Sequence, residues 1–580
     1  MIMARNVRLL APAALGALLS LAASATRAGQ AAPAAPHDDQ ARPLVKGRHG
    51  AVVSLHPLAS AAGLRVLMQG GNAFDAAVAT ALASTVVDPK DSTIGGQGFA
   101  TVYVAATRQV RALNFYGTAP AAATIESLKH RPYKTGYLST PVPSNLKGYE
   151  ALHRSHGRLA WAKLFEPAIE LAEGGFPVDE EFTWLLDVLK DRLDFPSTRR
   201  AYFPGGGPPK PGSLFKQPDL ARTLKAVAAE GADVFYKGAI ARRIAEFYAA
   251  NGGILAYGDL AGYEAKWVEP IHADYRGYRV YTQPPNSSGI AVLMQLNLLE
   301  GFDLRELGHN SADYLHLIGE VQRVAIADRN RYVADPEFVS VPLERLLSKE
   351  YASERRALLV PGRTLGPVPP PRNPGGDKQN TTHMTVVDGE GNMVALTQTL
   401  GSWYGSGVVA ADTGVLFSNQ LRHLHTEPES PSKLGPGRRP RSNQSPLIVL
   451  KDGEPVLAIG TPGSDGIWQR LAQVIANLVD FGMDVQRAVA APRMIYGGFQ
   501  ETGTEIPPIF DIEDRVDPAT RAALAARGYR LTTIPSDEGS VNGIWRDAAT
   551  GFLFAGADPR RLGSQDGHWG QSSSVYALAW

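Results

Sequence analysis

The sequence predicts a mixed α+β fold built on antiparallel sheet. Three observations carry that expectation: Ala-rich apolar helices early in the chain, two β-hairpin patterns in its last third, and clear turn sequences between them. The chain has 580 residues, 44% of them hydrophobic and 20% charged. That is a globular composition, long enough for a large core and more than one domain. With 58 basic and 57 acidic residues the formal charge is +1, which argues against nucleic acid or another polyanion as partner. There is no cysteine, so disulfides, thiolate metal sites and a cysteine nucleophile are excluded.

Taken in order, the first element is a targeting segment. Arg5 and Arg8 precede an apolar run over residues 9–25, and small residues follow, with Ala28 and Ala34 as candidate cleavage ends. This is the charged, apolar, small-residue order of a secretory signal. The alternative is a transmembrane anchor, but the run contains Pro12 and is barely long enough to span a bilayer. Residues 1–34 are therefore read as signal peptide and disordered leader, the Ala/Pro/Gln composition continuing to about residue 42. The mature protein is expected in the periplasm or secreted, and off the membrane once the signal is removed.

Helices follow. Residues 56–69 are apolar and Ala-rich and close at Gly70-Gly71, and Asn72 caps a second helix to about residue 86. The glycine cluster at residues 94–98 leads into a β-like run at 99–105. Further helices are expected at 161–174, 218–230 and 239–251, a strand at 278–282, a turn at 284–289 and a helix at 290–300. The Pro/Gly-rich stretch 361–376 reads as an exposed, mobile segment. Directly after it, residues 381–387 and 393–399 are β-rich and flank the turn sequence Asp388-Gly389-Glu390-Gly391-Asn392, a strong hairpin signal. A second hairpin is expected at 445–450 and 456–459, then a buried helix at 467–481.

Several motifs fail on inspection. Residues 205–210 have the glycines of a phosphate loop but lack its Gly-Lys-Ser/Thr ending, and two prolines remove N–H donors. There is no HExxH, and His423 and His425 in one loop are weak evidence for a metal. No nucleophile-elbow GxSxG is present. A Ser/His/Asp triad is not decidable from sequence, because its members meet only in space.

Thr381 stands at the junction between the flexible segment and a strand. A threonine hydroxyl needs a base to take its proton. Cleavage before Thr381 would free an α-amine whose reference pKa, about 7.7–8.0, suits that task. By itself this pattern is common. The sequence, however, resembles the γ-glutamyltranspeptidase (glutathione hydrolase) proenzymes from about Lys46 to its end. The marks are GGNAFDAAVAT at 70–80, GGQGF at 95–99, YRGYRVYTQPPNSSG at 275–289, ADRNRYVADPEF at 327–338, NTTHMTVVD at 380–388, GTPGSDG at 460–466 and ADPRR at 557–561, in order and at family-like spacing.

The resemblance implies the four-layer αββα sandwich of N-terminal-nucleophile hydrolases. It implies autocleavage between Asn380 and Thr381 into a large chain (residues 43–380) and a small chain (381–580) that stay associated. No cofactor or metal is implied, and the substrate class is a small-molecule amide or peptide. Residue by residue, Thr381 matches the nucleophile and Thr399 the second threonine that supports it. Gly463 and Ser464 match the oxyanion-hole pair. The second of these is usually Gly, but a backbone N–H survives the change. Gln420 and Ser442 match polar residues on the substrate side, with Asn443 replacing the second serine of a Ser-Ser pair.

Three positions depart from the family pattern. Tyr116 stands where an Arg holds the substrate α-carboxylate, His423 where an Asp holds the α-amine, and Gly401 where an Asn or Glu assists the second threonine. Each lost charge-assisted contact is worth roughly 1.5–3 kcal/mol, so selection of a γ-glutamyl group is expected to weaken. Tyr116, Trp403 and Trp468 would line an apolar acyl pocket or simply belong to the core. The stretch 423–442 is about ten residues shorter than in lidded relatives, which suggests an open cleft suited to bulky substrates and to water as acceptor. Arg438, Arg439 and Arg441 nearby would attract an acidic substrate or form a solvated face. The expectation is thus an autoprocessing amide hydrolase or acyltransferase, either γ-glutamyl-specific like the family or an acylase for another acyl group. A non-catalytic periplasmic binding relative is the competing class.

Overall fold

The computed structural model describes residues 42–365, 381–497, 509–536, 539–560 and 575–580. The signal peptide read at 1–34, the Pro/Gly-rich stretch from 366 onward and Asn380 lie outside the described residues. No helix among the described residues is long and apolar enough to cross a membrane.

Two seven-stranded sheets form the centre. Edge to edge, one runs Val45–Gly47, Leu553–Ala557, Asn542–Arg546, Glu454–Gly460, Leu447–Lys451, Tyr278–Thr282, Ile271–Tyr275. The other runs Tyr576–Ala579, Gly50–Ser54, Thr382–Asp388, Met393–Thr399, Gln97–Val104, Gln109–Phe115, Lys266–Val268. Neighbouring strands are antiparallel throughout both. Both sheets take strands from either side of the Asn380–Thr381 junction. Neither half could therefore complete a sheet alone.

Three apolar layers hold the stack. Between the sheets pack Ala51, Val53, Val387, Ala395, Ile448 and Ile544. These come from alternate positions of their strands, as the period-2 geometry of a strand requires. Outside one sheet lie the helices Pro57–Met68 and Ala73–Val87. Outside the other lie Gly289–Leu299, Ala312–Tyr332 and Gly466–Val479. The result is helix, sheet, sheet, helix, the four-layer αββα sandwich. Each fully buried Val, Leu or Ile in these layers contributes ~1.5–3 kcal/mol of hydrophobic stabilisation.

The helix Ala73–Val87 is buried along its whole length, which explains its Ala-rich, charge-poor sequence. Asn72 starts it with a capping box: its side chain accepts from the Phe74 and Asp75 N–H groups, and Asp75 accepts from Asn72 N. Asp388, from the turn after the strand Thr382–Asp388, accepts from Ala73 N at 2.9 Å. The hairpin that begins at Thr381 is thus anchored at its far end to a helix N-terminus, where a carboxylate is favoured.

Most expected elements are present. The expected helix at 161–174 divides into a 3-10 turn Trp161–Phe165 and an α-helix Glu166–Gly174. Pro167 sits at the start of the second, where its missing N–H costs least.

Candidate active site

The site is built on the register of one hairpin. Thr382 pairs with Gln398 and Val387 with Met393. That pairing leaves Thr381 and Thr399 opposite each other at the open end. The Thr381 hydroxyl donates to the Thr399 hydroxyl at 3.2 Å, and Thr399 Oγ1 also accepts from Gly401 N at 3.0 Å. Both threonines are buried, at 6% and 1% exposure.

Gly401, where the family pattern has a larger polar residue, is required by the local backbone. Its φ is +100°, and a Cβ there would lie 2.4 Å from Asn419 Oδ1. Asn419 fills that space. It accepts from Ser402 N, and its amide donates to Lys134 O and Ser402 Oγ, all at 3.0 Å.

The oxyanion-hole candidates lie just before the helix Gly466–Val479. Gly463 has φ +112°, and a Cβ on it would meet Arg470 Nη1 at 2.3 Å. Ser464 adopts φ +52°, a left-handed conformation that costs a non-glycine residue roughly 1–2 kcal/mol. Among the described residues neither N–H is given to a backbone carbonyl. The helix N-terminus two residues on adds its positive dipole end, which favours developing negative charge.

Thr381, Thr399, Gln420, His423, Ser442, Asn443, Ser464 and Tyr116 all border one pocket. Ten-residue shortening of the 423–442 stretch does not make it a wide cleft: its cavity volume is about 40 Å³, space for about three waters. Trp403 does not border it. That residue packs, half-buried, against the helical core outside the hairpin sheet. Trp468 is fully buried in the opposite core. Of the three aromatics only Tyr116 reaches the pocket, because its strand ends there.

Tyr116 cannot replace the missing carboxylate anchor by charge. Burial pushes its hydroxyl up to about 12, against hydrogen bonds to Ser442 and Gln97, so it is neutral at pH 7. Its ring stacks on Phe99 with centroids 5.1 Å apart. His423 cannot replace the missing amine anchor either. Burial, followed by the positive charges of Arg422, His425, Arg441 and Arg329, holds it well below the ordinary histidine value. It is a neutral imidazole at pH 7.

What sequence reasoning missed is Arg422. Its guanidinium borders the pocket and donates to Gly401 O at 3.1 Å. Arg441 borders the same pocket and belongs to the site, not to a solvated face. Burial pulls Arg422 down to about 10 and Arg441 to about 9, and both remain cationic at neutral pH. Behind them Arg329 donates to Ser288 Oγ at 2.7 Å and to Asn443 Oδ1, and pairs with Asp465 at 3.3 Å. Among the described residues bordering the pocket none is acidic. The signal was present: the positions either side of the expected anchors, Arg422 beside His423 and Arg441 beside Ser442, are both basic.

His383 is not placed to take the Thr381 proton. It is on the same strand, but its ring bonds Thr397 and Thr385 hydroxyls at 2.7 and 3.1 Å, and burial lowers it to about 3. Among the described residues no group of three or more His, Asp or Glu is placed to hold a metal ion.

Comparison with known proteins places this geometry. A family model described as Gamma-glutamyltranspeptidase matches residues 59–567. The Acylase ACY 1 proenzyme of Pseudomonas sp. (strain SE83) is 38% identical over 518 residues, 86% of this chain and 90% of that protein. The Glutathione hydrolase proenzyme of Escherichia coli (strain K12) is 33% identical over 579 residues, 95% of this chain and 97% of that protein. Among solved structures, cephalosporin acylase from Bacillus halodurans superposes with a TM-score of 0.83 at 32% identity, covering 95% of this chain and 99% of that one.

Proposed function

Since the chain belongs to the γ-glutamyltranspeptidase family, we propose that it is an autoprocessing N-terminal threonine hydrolase whose acyl pocket takes a group with an anionic end and no ammonium. Cleavage between Asn380 and Thr381 yields a large chain, 43–380, and a small chain, 381–580, which remain together because both sheets draw strands from each. The freed α-amine of Thr381 takes the proton from its own hydroxyl. The Thr381 oxygen attacks the amide carbonyl, and the negative charge that develops on the carbonyl oxygen is received by the Gly463 and Ser464 N–H groups. Collapse expels the amine, which takes up the proton, and leaves an ester on Thr381. Water then attacks that ester, with the amine again as base, and releases the acid.

The single observation that carries the substrate reading is the pocket wall: Arg422 and Arg441 beside a neutral His423, with no carboxylate bordering the cavity. A carboxylate there gains charge-assisted hydrogen bonds of roughly 1.5–3 kcal/mol. A γ-glutamyl ammonium would meet two like charges and no carboxylate to offset them. The acylase names of two relatives agree with this reading. A second reading, γ-glutamyl hydrolysis or transfer, has in its favour the retained Gln420 and Ser442. The two separate by comparing kcat/KM on glutaryl and γ-glutamyl p-nitroanilides. Preference for glutaryl is expected, and preference for γ-glutamyl would overturn the proposal. The N-terminal sequence features support export of the mature enzyme.

A further inference from the structure

Gln444 borders the same pocket as Thr381 and is 2% exposed. Among the described residues neither end of its side-chain amide has a hydrogen-bond partner. Its backbone is fixed on both sides: the N–H donates to Ser442 Oγ at 3.2 Å and the carbonyl accepts from Ser287 Oγ at 2.6 Å. The amide therefore cannot withdraw by moving the chain. Gln420 Oε1, bordering the same cavity, is also buried without a partner.

A buried amide with unpaired ends is unusual, since such groups are paired in the great majority of cases. Gln322 shows the ordinary arrangement in this protein. It is fully buried, its Nε2 donates to Met494 O at 3.1 Å, and its Oε1 accepts from Tyr496 N at 3.0 Å. An apolar residue of similar length would fill the Gln444 site without that cost. An amide kept unpaired at the wall of a substrate pocket points to a ligand group that pairs it.

The chemistry of that group follows from what surrounds it. Two acceptors, Gln420 Oε1 and Gln444 Oε1, need a donor, and Gln444 Nε2 needs an acceptor. A carboxylate supplies only acceptors. An ammonium supplies only donors and is repelled by Arg422 and Arg441. A neutral group that both donates and accepts pairs Gln444 Nε2 and one of the two amide oxygens at once, and a cavity of about 40 Å³ favours the smallest such group, a hydroxyl that accepts from Gln444 Nε2 and donates to Gln420 Oε1. Building on the proposed function above, we propose that Gln444 is a specificity-determining residue, and that the acyl chain carries a hydroxyl beside its anionic end that Gln444 and Gln420 read together. The logic is that of sites built to bond a substrate hydroxyl: they discriminate strongly against the analogue lacking it, because their own polar groups are left unpaired.

The test measures kcat/KM of the processed enzyme on four p-nitroanilides: glutaryl, 2-hydroxyglutaryl, N-acetyl-γ-glutamyl and γ-glutamyl, linked through the carboxyl far from the substituent. The expected result is that 2-hydroxyglutaryl exceeds glutaryl by about tenfold or more, and that Gln444→Met brings this ratio to within about twofold. Equal rates for the two in the native enzyme overturn the inference without any variant. So does an unchanged ratio in Gln444→Met, or an N-acetyl compound that beats the hydroxyl. These failures leave glutaryl turnover intact. Failure of the underlying reading is different in kind, because γ-glutamyl would then be the best of the four.

Discussion

The Thr381 hydroxyl donates to the Thr399 hydroxyl across 3.2 Å, at the open end of a hairpin whose far end Asp388 ties to the helix N-terminus at Ala73. Thr399 holds the Thr381 hydroxyl in place while Gly401 N holds Thr399. Replacing Thr399 by Val removes that acceptor but keeps the shape. The expected outcome is a fall in kcat of about 10²-fold, the scale on which loss of one positioned polar contact acts, with KM changed much less. Steady-state kinetics on a glutaryl anilide check it.

The arginine wall should act on substrate affinity. Arg422→Met and Arg441→Met are each expected to raise KM for an anionic acyl substrate by about 10- to 100-fold, from the loss of one charge-assisted contact of roughly 1.5–3 kcal/mol. Neutral short-chain acyl anilides should lose nothing comparable, so the ratio between the two substrates is the measurement.

The oxyanion loop makes two opposite predictions at adjacent residues. Ser464 sits at φ +52°, where glycine carries no steric penalty. Ser464→Gly should stabilise the fold by ~1 kcal/mol, read as a shift in urea midpoint. Gly463→Ala should sharply reduce turnover, because its φ of +112° is a backbone conformation that residues with a Cβ rarely adopt, so the loop would have to move.

Stability should fall in acid through histidines held neutral in the fold, His383 and His56 among them. Burial lowers His383 to about 3, and burial together with Lys90 lowers His56 to about 3, from an ordinary 6.5. Between those values the unfolded chain binds protons that the native chain does not. Stability therefore rises with pH across that window, is complete above about 6.5, and is lost as pH falls below it. At pH 5 the loss is about 2 kcal/mol per histidine. His56 Nδ1 caps the helix Pro57–Met68 by accepting from Leu58 N at 3.2 Å. His56→Asn keeps a capping side chain while removing the titration, so it should recover about 2 kcal/mol of the loss between pH 7.5 and 5.

Local structure is legible in the sequence where one physical signal dominates. The hairpin at Thr382–Asp388 and Met393–Thr399 shows as alternation around an Asp-Gly turn, and the helix Ala73–Val87 as Ala-rich apolar sequence after Asn72. The attacking end of the candidate site is legible too, because Thr381, Gly463 and Ser464 lie within the motifs quoted above and Thr399 ends the second strand of the hairpin. The acyl-selecting end is not. Trp403 and Trp468 read equally as pocket or core in sequence, because aromatic character does not distinguish a core position from a lining one. Arg422 and Gln444 lie outside the motifs that mark the site, and only the folded chain brings them to the pocket that Thr381 borders. The edge strands Val45–Gly47 and Tyr576–Ala579 are short, and their sheet partners Leu553–Ala557 and Gly50–Ser54 are far away in sequence, so no local pattern announces them.

The central claim is that Thr381, exposed as a new N-terminus, carries an anionic acyl group during turnover. Intact-mass analysis of enzyme quenched in acid during glutaryl anilide turnover tests it directly. The account predicts a small chain beginning at Thr381, part of it heavier by one glutaryl group held on that residue. A single uncut chain, or an acyl group found on any other residue, would contradict it.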